Sequence, residues 1–518
     1  MAEQKEPRPI AQVSSQPGIQ RDGTTLDANG FVDGQWVRFY RRRARKMNGF
    51  RSIVEDLTNI PRGINVYSRS NSNLIYLFAS NGARVVQVDN DVVGAISFDV
   101  SPTAFVADDN FQWQTDRVFD ATGGGENIIV AHPAKNLNDI SNQDDTPLYY
   151  SPAGSVTTAF DLIDDGIGGT VDVSGGVVVL QPYVFAYGHD GFIRNSNQNK
   201  PNDWQIGVGK DANEVNVAGT KIVKGLPMRG GGQSPSGLFW ALDSLIKVSY
   251  VGGAGVFRYD PVGATTVMSS SGMVELDGYF FWMGVDRFYV YDGRVTELPN
   301  QFNINWVFDN LNFDQRQKVW ATKVPRWGEI WWFFPFGQNQ VECNVAVIYN
   351  VREKIWYDCA IERGCGYPSE VLRFPIWCGT QTNSSDQYVA YAHEAGYNQV
   401  EAGQEVAIQS YIETHDFGYP TGGADGEKPT GQDYFTRLTR VEPDFVQTGD
   451  MTLTVIGNEF AQDQSPKETS YTFGSTATKI DMREQRRMIR LRFESNEVDG
   501  FYEMGRVILH TEPGDIRS

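Results

Sequence analysis

The chain has 518 residues, of which 40% are apolar, 13% aromatic and 53 glycine, and it carries a formal net charge of −19. That length is enough for a large core in two or more domains, while so acidic a chain repels nucleic acid and anionic membranes as a whole. Rich aromatics, many glycines and few helical patterns point to an all-β protein with tight turns, and no apolar run approaches a membrane span.

The charge is uneven. Residues 1–60 hold ten Lys/Arg against seven Asp/Glu, whereas residues 401–518 hold twelve against twenty-one. A basic start on an acidic body suits an acidic partner, such as a neighbouring copy. Residues 1–30, with Pro7, Pro9 and Pro17 and no apolar period, read as an extended arm. Such an arm is either a disordered tail or a strap lying along a neighbour. Met1–Pro9 contains no apolar core segment, so no secretion signal is expected.

Residues 31–59 read as N-terminal strands that join a later domain. Phe31–Tyr40 has the pattern of a hairpin turning at Asp33-Gly34. Arg41, Arg42, Arg43, Arg45 and Lys46 follow at once. Such a run is a solvated face, a subunit contact or a set of phosphate-matching forks. With no interleaved aromatic platform, it does not read base sequence.

From about residue 60 to 415 short apolar runs recur at Leu74–Ala79, Ile128–Ala131, Tyr183–Tyr187, Leu238–Leu242, Tyr279–Trp282, Ile330–Phe334 and Tyr388–Ala392. Their starts lie 41 to 58 residues apart. Most are followed by a Gly or Asp turn and a second strand, as at Asp243-Ser244 and Val285-Asp286. A period of that length with about four short strands is the spacing of propeller blades. Six or seven blades fit; a pair of stacked β-sandwiches is the alternative. Each apolar run is expected to be the first, axial strand of its blade, because continuous apolarity implies burial on both faces. Lys354–Asp358 reads as an outer strand.

The polar Gly418–Gly431 stretch marks a boundary or a functional loop. Strands are expected beyond it at Phe435–Val441, Met451–Ile456, Tyr471–Phe473, Met488–Phe493 and Gly505–His510. Residues 416–518 therefore read as a small β platform domain that takes a strand from 31–53.

Signals for catalysis are sparse. There is no phosphate loop of GxxxxGK[ST] type and no HExxH; His393-Glu394 lacks a second ligand at helical spacing. Gly232–Gly237 fails as a nucleophile elbow because Ser236 stands where the second glycine belongs. His132, His189, His393, His415 and His510 are scattered. Asp243 and Asp286 occupy matching places in consecutive repeats and could pair as glycosidase carboxylates, but both fall at turns, where Asp caps its own backbone. Arg229–Gly232 reads as a flexible loop. Cys343, Cys359, Cys365 and Cys378 show no CxxC spacing and read as free buried thiols rather than a zinc site. No catalytic, metal-binding or cofactor-binding residue is expected.

Gln35–Tyr40 followed by Arg45–Arg51 resembles the opening of the tail nozzle or hub proteins of short-tailed bacteriophages, also called tail tubular protein B or packaged-DNA stabilisation proteins. Val248–Gly253, Val256–Asp260, Asp277–Gly284 and Phe288–Gly293 are similar to the middle of that family, and Arg440–Phe445 to its C-terminal part. The order of these segments along the chain carries the resemblance. It implies a β-propeller with a platform-like β domain and a homo-oligomeric, hexameric ring at the distal end of the tail, below the adaptor ring. It further implies a structural, non-catalytic role in the virion. The ring would continue the channel for ejection of double-stranded DNA without reading sequence, help retain packaged DNA, and bear fibres or a needle-like plug. Assembly would take place in the host cytoplasm. The basic run Arg41–Lys46 then becomes the candidate docking element. A propeller glycosidase or depolymerase, or a carbohydrate-binding module acting on the host surface, is the alternative.

Overall fold

Short runs of aromatic and β-branched residues cut by Gly or Asp turns can satisfy their backbone groups only by pairing with the next run, so the chain folds as successive antiparallel sheets. The computed structural model describes residues 10–13, 15–68, 73–79, 82–89, 92–102, 111–133, 145–152, 157–229, 235–418, 434–460, 463 and 465–516. The first nine residues of the expected arm, residues 230–232 of the Gly-rich loop and residues 419–431 of the polar boundary loop lie outside the described residues.

Seven sheets follow one another around an axis, which makes a seven-bladed propeller. Blade 1 is Pro61–Ser68, Asn73–Ala79, Gly82–Asp89 and Val92–Asp99; blade 2 runs from Trp113–Asp120 to Asp161–Leu162. Blade 3 runs from Gly176–Leu180 to Asn213–Asn216, and blade 4 from Ile222–Pro227 to Phe257–Ala264. Blade 5 runs from Met273–Leu276 to Val295–Glu297, and blade 6 from Trp320–Val324 to Ile355–Ala360. Blade 7 contributes Arg363–Tyr367, Ile376–Thr382 and Tyr388–His393.

The first strands pack side by side around the axis, and Pro61–Ser68 of blade 1 touches both Trp113–Asp120 of blade 2 and Arg363–Tyr367 of blade 7. Closure is made by Phe50–Leu57, which pairs antiparallel with Tyr388–His393, Phe50 opposite His393 and Leu57 opposite Tyr388. Residues from the two ends of the propeller segment thus share one sheet. Phe50–Leu57 belongs to blade 7 and not to the platform, which corrects the expected 31–59 boundary.

The apolar runs are not the axial strands. In blades 1 to 6 they are the second strands, and in blade 7 Tyr388–His393 is the third. The second strand has a sheet neighbour on each edge and another blade against each face, so Tyr183–Tyr187 and Glu329–Phe334 are buried throughout. The axial strand has a sheet neighbour on one edge only and admits polar residues. Close approach is strict there: a Cβ on Gly366 would lie 2.5 Å from Trp377 and 2.8 Å from Trp320.

Three further sheets form a platform from both ends of the chain. One orders Asp33–Gln35, Ser410–Glu413, Met488–Ser495, Met451–Asn458 and Lys467–Phe473. A second orders Phe445–Thr448, Phe501–Met504, Arg43–Lys46 and Val37–Tyr40, and a third Ile10–Gln12, Ile508–Ile516, Tyr434–Glu442 and Ile480–Arg486. Their common core includes Val37, Phe39, Leu453, Ile489, Leu491, Phe493 and Tyr502, and is continuous with Trp331, Phe333, Tyr357 and Trp377 of blades 6 and 7.

Phe31–Tyr40 is not a hairpin. Asp33–Gln35 and Val37–Tyr40 enter different sheets, with Trp36 at φ 54° on the corner. The hairpin pairs Val37–Tyr40 with Arg43–Lys46, and Arg41 and Arg42 form its two-residue turn at φ 51° and 62°. Two positive φ values in a two-residue loop mark a turn that usually carries Asn-Gly, so an Arg-Arg pair gave no signal for it. The described part of the arm makes polar contacts with blade 6 and the segment between blades 5 and 6. Asp22 accepts hydrogen bonds from the amides of Asn305 (3.0 Å) and Trp306 (2.8 Å) at the start of the helix Ile304–Asn310. Arg21 bridges Asp33 (2.5 Å) and Asp358 of blade 6 (2.8 Å).

Candidate functional site

Two places concentrate polar chemistry. The first is the propeller axis, where the inner strands present ionisable residues in turn: Asp116 from blade 2, Lys224 from blade 4, Glu275 from blade 5 and Lys323 from blade 6. Just past the inner strand of blade 7, Glu370 joins them. Lys323 lies 3.5 Å from Glu275 and 2.9 Å from Glu370, so one ammonium serves two carboxylates. Asp116 accepts from the amides of Val179 and Arg117, each at 2.8 Å. Burial raises its pKa despite these bonds. Burial lowers that of Lys224 to about 8, against the opposing field of Asp116. The end of the axis where the inner strands begin is filled by Arg62, which forks onto Glu342 at 2.7 and 2.8 Å, and by Lys318, 2.8 Å from the same carboxylate. None of these residues was singled out from sequence. The available signal was a charge inside the short strand before an apolar run, as at Asp116, Lys224, Glu275 and Lys323.

The second place joins platform to propeller. Arg38, fully buried in the platform hairpin, forks onto Glu394 of blade 7 at 2.6 and 2.7 Å, and its Nε lies 2.9 Å from Glu329 of blade 6. Glu329 also accepts from the Tyr357 hydroxyl (2.6 Å) and Trp331 Nε1 (2.9 Å), and Glu394 from Trp327 Nε1 (2.8 Å). Burial raises the Glu329 pKa, Arg38 lowers it and the second carboxylate raises it again.

The predicted basic run divides at this junction. Arg41, Arg42 and Arg43 are exposed at the hairpin tip. Arg43 pairs with Glu503 at 3.0 Å, and the Arg41 amide donates to Glu353 at 3.0 Å. Arg326 and Arg352, on adjoining turns of blade 6, extend the exposed basic surface. Arg45 is half-buried between the rings of Trp327 (4.8 Å) and Phe501 (5.0 Å). Lys46 is fully buried, donates to Ser495 O at 3.2 Å, and has its pKa lowered to about 8 by burial. Strand alternation turns Lys46 inward, so it cannot dock a partner from there; this corrects its place in the candidate set.

Asp243 and Asp286 are turn residues. Asp243 accepts from Thr220 (2.7 Å) and Ser244 (3.0 Å), and Asp286 pairs with Arg287 (2.8 Å). The four cysteines are free and buried. Among the described residues no cluster of His, Cys, Asp and Glu could hold a metal ion, and no helix is long and apolar enough to cross a membrane. His132 and His393 are fully enclosed: His132 Nε2 lies 2.9 Å from Val173 O, and His393 accepts from Arg363 at 2.9 Å between Phe50 and Trp377.

No protein-family model matches the chain, and no curated protein does. Among solved structures, the exo-β-1,3-galactanase of Phanerochaete chrysosporium with galactose aligns over 90% of this chain and 100% of its own, at 9% identity and a TM-score of 0.28. Two variants of that enzyme with β-1,3-galactotriose align over 90% of this chain and over 100% and 99% of their own, at 9% identity and a TM-score of 0.28.

Proposed function

We propose that the chain is a structural protein of the virion of a short-tailed bacteriophage: the tail nozzle, a hexameric ring that docks on the tail adaptor, continues the DNA channel and carries fibres or a plug. The observation that carries this reading is the exposed Arg41–Arg43 tip, held rigidly by a platform that both chain ends build and that Arg38 locks to blades 6 and 7. A basic knob on a body of net charge −19 suits docking on an acidic ring. An acidic wall lets duplex DNA slide without salt-sensitive phosphate contacts. The sequence resemblance supports the same reading.

The test is binding of the full-length protein to the purified adaptor ring, before and after the combined change Arg41→Ser, Arg42→Ser and Arg43→Ser. At least a tenfold loss of affinity, with melting unchanged, is the expected result. Equal affinity removes the tip from the interface.

A second reading, a glycosidase, would have to draw on the axial carboxylates. That chemistry needs one carboxyl able to donate a proton and a second able to attack or to activate water. Glu275 and Glu370 instead share Lys323, and the oxygens of Asp116 are taken by backbone amides. Absence of sugar release from host envelope fractions is the expected result.

A further inference from the structure

On the propeller face that carries the turns between first and second strands, a cavity of about 470 Å³ opens among blades 1 to 4. Its wall includes Ser68, Asp116, Arg117, Gln181, Arg229 and Ser236. The volume falls within the range of small-molecule sites. Two cations stand in its wall, the half-buried Arg117 and the exposed Arg229, and Lys224, outside the wall, is close enough to Asp116 for their charges to interact. Among the described residues none of the three has a carboxylate in ion-pair reach or a side-chain hydrogen bond; Arg117 stands out in this, since most other half-buried or buried arginines of the chain, such as Arg21, Arg38 and Arg62, have their carboxylates in place. The one carboxylate in the wall, Asp116, is held by two backbone amides and offset by Lys224. The cavity therefore gathers unused donors and a surplus of positive charge within a strongly acidic chain. Such a set is mismatched to water alone and matched to an oxyanion, which guanidinium forks bind in bidentate fashion.

We propose that this cavity binds a sugar-sized ligand bearing an oxyanion, a phosphate or a carboxylate, with Arg117 and Arg229 gripping the anion and Gln181 and Ser236 facing the remaining hydroxyls. The site stands apart from the docking tip and does not depend on ring assembly. As part of a tail it would place a receptor for acidic or phosphorylated envelope sugars on each protomer.

The test is isothermal titration of the full-length protein with glucose 6-phosphate, glucuronate, inorganic phosphate and glucose. Saturable binding of glucose 6-phosphate or glucuronate, with glucose at least tenfold weaker, is expected, and the pair separates a phosphate site from a carboxylate site. Binding should weaken as salt is raised from 50 to 300 mM. Arg229→Gln, an exposed change that leaves the fold intact, should weaken it by about tenfold, and Arg117→Gln with Arg229→Gln should abolish it. Three results would overturn the proposal: no heat with any anionic probe at millimolar concentration, glucose bound as tightly as its phosphate, or full binding by the Arg229→Gln protein. Binding of inorganic phosphate alone, unaffected by Arg229→Gln, is an adventitious ion only and also overturns it.

Discussion

Replacing Arg38 by Met should uncouple the platform from the propeller. Arg38 is fully buried and, among the described residues, is the cation paired with both Glu329 and Glu394. Met fills much of the same volume, so the change removes the charge more than the packing. Leaving one buried ion without its partner costs about 3–5 kcal/mol, and the stacking of the guanidinium on Trp327 at 4.7 Å adds ~1 kcal/mol. A loss of about 4–6 kcal/mol corresponds to roughly 8–24 °C for a unit of 150–250 residues. Scanning calorimetry should show a platform transition that separates from that of the propeller and moves down by that amount. Adding Glu329→Gln removes the orphaned charge while Tyr357 and Trp331 keep an acceptor, so the double variant should recover at least half of the loss. The pH dependence has a definite sign. Burial already raises the Glu329 pKa, and without Arg38 it rises further. A raised carboxyl pKa means that the folded state retains a proton the unfolded chain releases. The deficit of the variant is therefore largest near neutrality and shrinks as pH falls through the folded pKa. A single transition within about 2 °C of the wild type, or a double variant no better than the single, would refute the reasoning.

Other consequences follow from buried and strained groups. His132 has its pKa lowered to about 4 by burial, so the unfolded chain takes up a proton below about 6.5 that the folded chain refuses until about 4. Stability should fall by about 3 kcal/mol between those values from this residue alone, and His132→Gln should flatten that part of the urea-midpoint profile. Changing Arg41-Arg42 to Asn-Gly suits the positive φ values and should raise stability by about 0.5–1 kcal/mol in urea while weakening adaptor docking. Lys46→Met removes a buried charge that has one carbonyl partner; docking should be unchanged, and a loss of docking would return Lys46 to the interface. Gly366→Ala forces a methyl against Trp320 and Trp377 and should cost about 1–3 kcal/mol by thermal melting.

The propeller was legible in the sequence because seven buried strands keep a continuous apolar run whatever lies around them. Their position in the blade was not, since burial on both faces is a property of the second strand as much as of any axial one. The ionisable residues of the axial strands read as noise between turns: Lys224 and Lys323 each sit alone in their segment, Asp116 is followed by Arg117, and their convergence from different blades exists only in three dimensions. Phe50–Leu57 lies next to blade 1 in sequence, and only ring closure brings it to Tyr388–His393. The hairpin of residues 37–46 was hidden because Arg-Arg is a poor signature for a left-handed turn, whereas Asp33-Gly34 is a good one and occurs where the chain does not turn back. Lys46 was grouped with the exposed arginines by adjacency, although strand alternation turns it inward.

The central claim, a ring built on an adaptor, is tested most directly by the mass of the purified full-length protein alone and mixed with its tail adaptor, measured by light scattering. A monomer that becomes a closed ring of six copies on the adaptor is the predicted result. A protein that remains monomeric and does not associate with the adaptor would contradict the account.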